Sequence, residues 1–195
     1  LEIYPVPASA GRGCVLVCPG GGYTVRAPHE GRPIAEAFNA AGIPAAVVQY
    51  RVAPCPHPAP YLDACQAMKI LRAEARDLGI DPAHIAILGF SAGGHLAGTV
   101  SVHHGRWTRP DLPYADVSAR PDAAILCYAV LSSGLKGHQG SFRNLLGDPP
   151  DPALVDLMCL ERHVSTDMPP TFLWHTADDG VVAVANSLLM AEALS

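Results

Sequence analysis

The sequence predicts an α/β protein built on a doubly wound, mostly parallel sheet with helices on both faces. Short apolar runs alternate with longer helical patterns along the chain, which is the order expected of βαβ units. The runs are apolar throughout, as in strands that are covered on both faces. With 195 residues and 49% hydrophobic content, the chain is most simply one domain, spanning 1–195.

The first half of the chain supplies three strands and three helices. Leu62, Met68 and Leu71 recur at the spacing of one buried helical stripe, and Gly79 supplies the stop. Asp81 and Pro82 are predicted to turn the chain into the next strand. In order, we predict a strand at Cys14–Cys18, a helix at Arg32–Ala41, a strand at Ala45–Tyr50, a proline-rich connection at Pro54–Pro60, a helix at Tyr61–Leu78, a strand at Ile85–Leu88 and a helix from Ala92 to near Gly105.

The second half repeats the alternation around one irregular segment. The stretch Ser132–Pro152 is rich in Gly, Ser and Pro and follows the end of a strand, where a cap over a pocket would lie. We therefore predict a cap segment at 131–165. The elements expected here are a strand at Ala123–Tyr128, short helices at Ser141–Leu146 and Ala153–Leu160, a strand at Thr171–Trp174 and a helix at Val184–Leu194.

The most informative motif is the pentapeptide Gly89–Gly93, which reads G-F-S-A-G between a strand and a helix. This G-x-S-x-G pattern is the signature of a nucleophile elbow, in which a sharp turn projects the serine clear of the sheet. Side chains at Gly89 and Gly93 would clash where the strand and helix approach each other. Ser91 is therefore predicted to be a nucleophile in a strained conformation, and the amide of Ala92 to be free at the helix start.

A second glycine-rich turn follows the first buried strand, at Gly20–Gly22. Taken alone, it would be a flexible turn, and it lacks the pattern of a phosphate-binding loop. Next to a nucleophile elbow it fits half of an oxyanion hole, whose donors would be the amides of Gly21 and Gly22. Tyr23, directly after the glycines, is a candidate substrate-binding residue in the pocket wall.

Composition excludes several classes of protein. A formal net charge of −5 and the absence of a Lys/Arg block argue against nucleic-acid binding. No apolar run is long enough to cross a bilayer, which argues against a membrane partner. The first residues do not resemble a signal peptide, although the chain begins at Leu1 and a removed leader is compatible with that.

The six cysteines form no C-x-x-C pair and no framework spacing. Cys14, Cys18 and Cys127 lie in or beside apolar runs, where a cysteine acts as a small hydrophobe. We interpret the cysteines as reduced thiols of a cytoplasmic protein. Neither a disulfide framework nor a metal site is favoured by this spacing.

Three segments together resemble the α/β-hydrolase fold, and within it the acetyl-xylan-esterase-like, carbohydrate-esterase branch near the hormone-sensitive-lipase group. They are Pro19–Tyr23, Gly89–Ala97 and Trp174–Val182. The resemblance covers nearly the whole chain. It implies a serine carboxylesterase that hydrolyses short-chain acyl esters, such as acetyl groups on xylan or other sugars, through an acyl-enzyme and without a cofactor.

The resemblance also implies roles for individual residues. Ser91 matches the nucleophile, and Gly21, Gly22 and Ala92 match the oxyanion donors. In the motif H-x-x-x-D-x-x-V, which runs from His175 to Val182, the triad acid falls on Asp179 rather than on its neighbour Asp178. The substrate is then a small-molecule ester, with an acetylated saccharide as one candidate; the oligomeric state is open.

The catalytic histidine departs from the family pattern. The family places it after a further strand that follows the acid, and none of the nine histidines lies there. His95 is expected to pack in the core or contact the cap, and His175 to be structural. We therefore expect a fold that is incomplete at its C-terminus and a chain that is nearly inactive by itself. Ala183, where the family usually has proline, is a smaller departure.

Two other functions remain open at this point. A serine peptidase of the prolyl-oligopeptidase kind shares the G-x-S-x-G-G elbow, although no propeller-sized domain accompanies it here. A non-catalytic hydrolase fold, retained as a binding protein, is the alternative from a different class. The intact Ser91, glycine turn and Asp179 favour the enzyme.

Overall fold

Six strands form one sheet in the computed structural model, which describes residues 1–6, 12–134 and 138–195. The spatial order is β1-β3-β2-β4-β5-β6. β1 pairs antiparallel with β3, and the other four neighbouring pairs are parallel, so the predicted fold class is confirmed. The strands are β1 (Glu2–Tyr4), β2 (Arg12–Cys18), β3 (Ala45–Val47), β4 (Ile80–Phe90), β5 (Ala123–Cys127) and β6 (Thr171–Trp174).

Helices connect the strands and cover both faces of the sheet. Short 3₁₀ turns lie at Pro28–Glu30 and Leu160–Arg162. The helices are α1 (Arg32–Ala40), α2 (Ala59–Ala73), α3 (Ala75–Leu78), α4 (Ser91–His103), α5 (Gln139–Leu146), α6 (Pro152–Leu157) and α7 (Ala185–Leu194).

The core consists of two apolar clusters, one on each face of the sheet. Leu16 belongs to one cluster and its neighbours Val15 and Val17 to the other, as expected because successive side chains of a strand point to opposite faces. The cluster of Leu16 includes residues of α2 and α4, whereas that of Val15 includes residues of α1. Burial on both faces explains why the strands are apolar throughout.

Several boundaries differ from those predicted. The helix predicted at Tyr61–Leu78 is two helices, because Glu74 leaves the helical conformation between α2 and α3. β3 ends at Val47, before the predicted Tyr50. β4 runs through Asp81 and Pro82, where we expected a turn. The pairing of β4 with β2 explains this, because its register shifts between Ile80 and Ile85 and so accommodates a proline.

The segment predicted as a cap contains α5, α6 and the 3₁₀ turn at Leu160–Arg162. Its residues 135–137 lie outside the described residues. The assignment as a cap, and that of the chain as one domain, stay predictions. In the described part of the chain, no helix combines the length and apolar character needed to cross a bilayer.

Candidate active site

Ser91 lies where β4 passes directly into α4, at the carboxyl end of the sheet. Its φ angle is +51°, which is unusual for a residue with a side chain. Such a conformation costs about 1–3 kcal/mol and persists only where the surroundings fix it. Ser91 is partly exposed. Among the described residues, no group hydrogen-bonds to its hydroxyl, so Ser91 has the strained, accessible geometry that the sequence predicted.

The glycines of the turn are required by close backbone approach. A Cβ at Gly89 would lie 2.1 Å from the carbonyl oxygen of Gly93. A Cβ at Gly93 would lie 2.1 Å from the carbonyl oxygen of Cys18, at the end of β2. The first turn of α4 therefore packs directly on the end of β2. This contact brings the second glycine-rich turn close to Ser91.

The turn after β2, which we call the glycine loop (Gly20–Tyr23), borders Ser91. A Cβ at Gly20 would lie only 3.1 Å from the Ser91 Cβ. The φ angles of Gly21, Gly22 and Tyr23 are +123°, +62° and +62°. In the described part of the chain, the amides of Gly21, Gly22 and Ala92 donate no hydrogen bond. Three unpaired N–H groups are thus available beside one serine.

Tyr23, the candidate substrate-binding residue, is buried in the core, and its role at the pocket wall stays a prediction. Its side chain is only 2% exposed, and burial raises the pKa of its hydroxyl. The hydroxyl lies 2.7 Å from Nδ1 of His95, whose Nε2 lies 3.0 Å from the carbonyl oxygen of Met158. Because a carbonyl can only accept, Nε2 carries the proton and Tyr23 donates to Nδ1. His95 packs in the core and contacts the predicted cap segment, as expected.

Sequence reasoning missed Glu30, which is buried beside the glycine loop. Its Oε2 accepts the amide of Gly20 at 2.7 Å, and its Oε1 accepts the hydroxyl of Tyr128 at 2.8 Å. The backbone amide of Tyr128 in turn donates to the carbonyl of Trp174. Glu30 therefore connects the glycine loop to the ends of β5 and β6. Nothing in the local sequence around Glu30 indicates this.

Asp179 lies in the turn that follows β6. Its Oδ1 accepts the amides of Val181 and Val182 at 2.8 and 2.9 Å, and these bonds, with His175 nearby, lower the pKa of its carboxyl. Its Oδ2 lies 3.5 Å from Nε2 of His175. Asp178 is exposed. The carboxylate that the turn holds in place is therefore that of Asp179. Among the described residues, no hydrogen bond joins Asp179 to Ser91.

The side chain of His175 is 3% exposed, and each of its ring nitrogens has a partner. Its Nδ1 lies 2.8 Å from the Ser187 hydroxyl, and its Nε2 donates to the carbonyl of Val182 at 2.8 Å. His175 thus holds the turn that carries Asp179, which fits the predicted structural role. No histidine in residues 1–6, 12–134 and 138–195 hydrogen-bonds to Ser91.

All six cysteines are free thiols, and Cys14, Cys18 and Cys127 are buried as expected of small core residues. Burial raises the pKa of Cys14 to about 12 and that of Cys127 to about 11, so these thiols are not reactive thiolates. Across the described ranges, no three His, Cys, Asp or Glu residues form a group suited to a metal ion.

The sheet order, the strained serine between β4 and α4, and the glycine loop define an α/β-hydrolase. The chain belongs to the BD-FAE family, whose model matches residues 1–194. Among solved structures, it is 48% identical to an acetyl ester-xyloside bifunctional hydrolase from Caldicellulosiruptor lactoaceticus, with a TM-score of 0.94. That comparison covers 98% of this chain and 71% of the other.

Two curated relatives are much longer than the chain. It is 39% identical to endo-1,4-beta-xylanase B of Butyrivibrio fibrisolvens over 188 residues. This match covers 94% of the chain and 29% of the relative. It is 33% identical to an acetylxylan esterase of Xylanibacter ruminicola over 183 residues. This match covers 91% of the chain and 36% of the relative. The chain thus spans about a third of the length of each.

Proposed function

We propose that the protein containing this chain is a serine carboxylesterase that removes short acyl groups, in particular acetyl groups, from xylan-type saccharides. The observation that carries the proposal is the strained, accessible Ser91 beside the unpaired amides of Gly21, Gly22 and Ala92. The names of the relatives, an acetylxylan esterase and an acetyl ester-xyloside hydrolase, support the substrate class.

In the proposed mechanism, the Ser91 oxygen attacks the ester carbonyl while its proton passes to an imidazole base. The oxygen of the tetrahedral intermediate is stabilised by the amides of Gly21, Gly22 and Ala92. Each such donor contributes about 3 kcal/mol to transition-state stabilisation. Collapse breaks the bond to the sugar oxygen, which takes the proton from the imidazolium and leaves as a hydroxyl. Water then hydrolyses the acyl-enzyme by the same steps.

Asp179 is the proposed acid that orients the imidazole. Its Oδ1 is already engaged with two amides. Within the part of the chain that the structure describes, the nearest partner of Oδ2 is His175 Nε2 at 3.5 Å. Oδ2 can therefore accept a further N–H. The lowered pKa keeps the carboxyl ionised at neutral pH, as this role requires.

The mechanism requires an imidazole that the described residues do not provide. The ring nitrogens of His95 and His175 all have hydrogen-bond partners. Large apolar side chains lie exposed on β6 and α7, including Phe172 at 62% and Leu188 at 63%. Contiguous exposed apolar groups are typical of surfaces that pack against further polypeptide. We propose that polypeptide packed against this surface supplies the imidazole base.

Chemical rescue tests this function on the chain itself. Hydrolysis of p-nitrophenyl acetate is measured at increasing imidazole concentration for the wild type and for Ser91→Ala, which corrects for catalysis by free imidazole. We expect a weak activity without imidazole, thousands-fold below that of an intact triad, and a saturable increase that depends on Ser91. Acetylated xylo-oligosaccharides and an aminoacyl amide, assayed in parallel, compare esterase with peptidase activity. Identical rates for both proteins at every imidazole concentration would contradict the proposal.

We also propose a reducing, cytoplasmic location, which the free state and burial of the thiols support. Thiol titration of unfolded protein purified under non-reducing conditions is expected to yield six reactive groups. A lower number would indicate a disulfide and contradict this location.

A further inference from the structure

The glycine loop has a conformation that it cannot maintain by itself. Three successive residues, Gly21, Gly22 and Tyr23, have positive φ angles. For Tyr23 this conformation is strained, and such strain persists only where surrounding contacts impose it. The loop also carries two of the three unpaired amides beside Ser91. Contacts that fix the loop therefore fix the direction of these amides.

Two of the contacts come from the segment that the sequence predicted as a cap. Asn144, on α5, donates its side-chain amide to the carbonyl oxygen of Gly22 at 2.8 Å. Met158, which follows α6, accepts Nε2–H of His95, and Nδ1 of the same ring accepts the Tyr23 hydroxyl at 2.7 Å. The ring of Phe142, also on α5, packs 5.4 Å from that of His95. The loop is thus held at Gly22 and at Tyr23 from one side.

The chemistry of these contacts leaves the loop amides free. Asn144 binds a carbonyl, and Tyr23 acts through its side chain, so neither uses the N–H of Gly21 or Gly22. Within the glycine loop, Glu30 accepts only the amide of Gly20. The backbone amides of Thr24 and Val25 also bind the carbonyl of Gly21. Only a contact that accepted the N–H of Gly21 or Gly22 would have consumed a donor.

We propose that Asn144, with the Tyr23–His95–Met158 chain, positions the oxyanion donors, so that residues 138–158 control transition-state binding. This inference rests on the proposed esterase function. Asn144 is a positioning residue, since it acts on substrate only through Gly22. Loss of its N–H should weaken binding of a tetrahedral anion much more than binding of a neutral ester.

The test compares Asn144→Asp with Arg143→Ala. Aspartate has the shape of asparagine but no N–H to donate to Gly22. Arg143 is an exposed neighbour on α5 with no side-chain hydrogen bond among the described residues. Tyr23→Phe, which removes only the donor to His95, is the second variant in case Asn144→Asp does not fold.

The first readout is the affinity for methaneboronic acid. The Ser91 oxygen adds to boron and its proton leaves to buffer, which gives a tetrahedral anion without any need for turnover. We expect Asn144→Asp to lower the affinity about tenfold or more, and Arg143→Ala to stay within about twofold of wild type. In the imidazole-assisted assay, kcat should fall and KM should not change.

The second readout is the backbone order parameter of Gly21 and Gly22 by NMR, which requires no chemistry at Ser91. We expect values near about 0.85 in the wild type and in Arg143→Ala, falling towards about 0.6 in Asn144→Asp. Unchanged order parameters in Asn144→Asp and Tyr23→Phe would overturn the inference. If the wild type forms no boronate adduct, the proposed function fails at Ser91, and the order parameters still decide whether residues 138–158 fix the loop.

Discussion

Acidification should destabilise this protein well above the pH at which its carboxylates titrate, because His95 is buried as a neutral ring. Burial lowers the pKa of His95 from 6.5 to about 4. Between these values the unfolded chain binds a proton that the folded chain does not. The free energy of unfolding should therefore decrease as the pH falls from 6.5 to 4, and His95 should contribute no further change below pH 4.

The magnitude follows from the same two values. One pH unit corresponds to about 1.4 kcal/mol for each proton, so His95 accounts for about 3 kcal/mol between pH 6.5 and 4. Burial lowers the pKa of His57 to about 4 as well, and its partly exposed position makes its share smaller. A loss of this size is large for a domain whose total stability is about 5–15 kcal/mol.

Urea unfolding at several pH values between 4 and 7.5 measures this effect, with His95→Gln as the critical variant. Glutamine does not titrate, so the slope of unfolding free energy against pH should fall by about half or more relative to wild type. Leu126→Ala is the matched control, because it removes a fully buried side chain without changing any titrating group. It should lower stability by about 2–5 kcal/mol and keep the wild-type slope.

The comparison separates general damage from proton linkage. A His95→Gln protein that is less stable but has the same pH slope as wild type would refute the account, because His95 would then titrate alike in the folded and unfolded states. Equal slopes for all three proteins would have the same meaning.

Three further substitutions test the packing and the proposed site. Gly93→Ala should abolish folding or strongly destabilise the protein in thermal melts, because its Cβ would lie 2.1 Å from a backbone oxygen; Gly105→Ala, with open space around it, should melt like wild type. Asp179→Asn should lower imidazole-assisted, Ser91-dependent turnover by about tenfold or more, whereas equal losses in Asp179→Asn and Asp178→Asn would contradict the choice of acid. Leu188→Ala, at a residue 63% exposed, should change the free energy of unfolding in urea by no more than about 0.5 kcal/mol. A loss as large as that of a core substitution would show that Leu188 is packed.

The local sequence determined the alternation of strands and helices and the strand–turn–helix at Ser91. These features are set by hydrophobic periodicity and by local glycines. Gly89, for example, is required by the backbone of Gly93, only four residues further on. The predicted ends of the helices and strands agreed less well with the structure. The break at Glu74 and the passage of β4 through Pro82 depend on packing and on pairing with β2, which no single stretch encodes.

Only the tertiary structure decided which side chains act together at the site. Tyr23 meets His95 across 72 positions in the sequence, and Asn144 meets Gly22 across 122. Glu30 lies in a connection with no motif of its own, yet its buried carboxylate holds the glycine loop. Hydrogen bonds of this kind form because the fold brings distant groups together away from water, where each needs a partner. Residue types and local spacing do not indicate which distant groups will become hydrogen-bond partners.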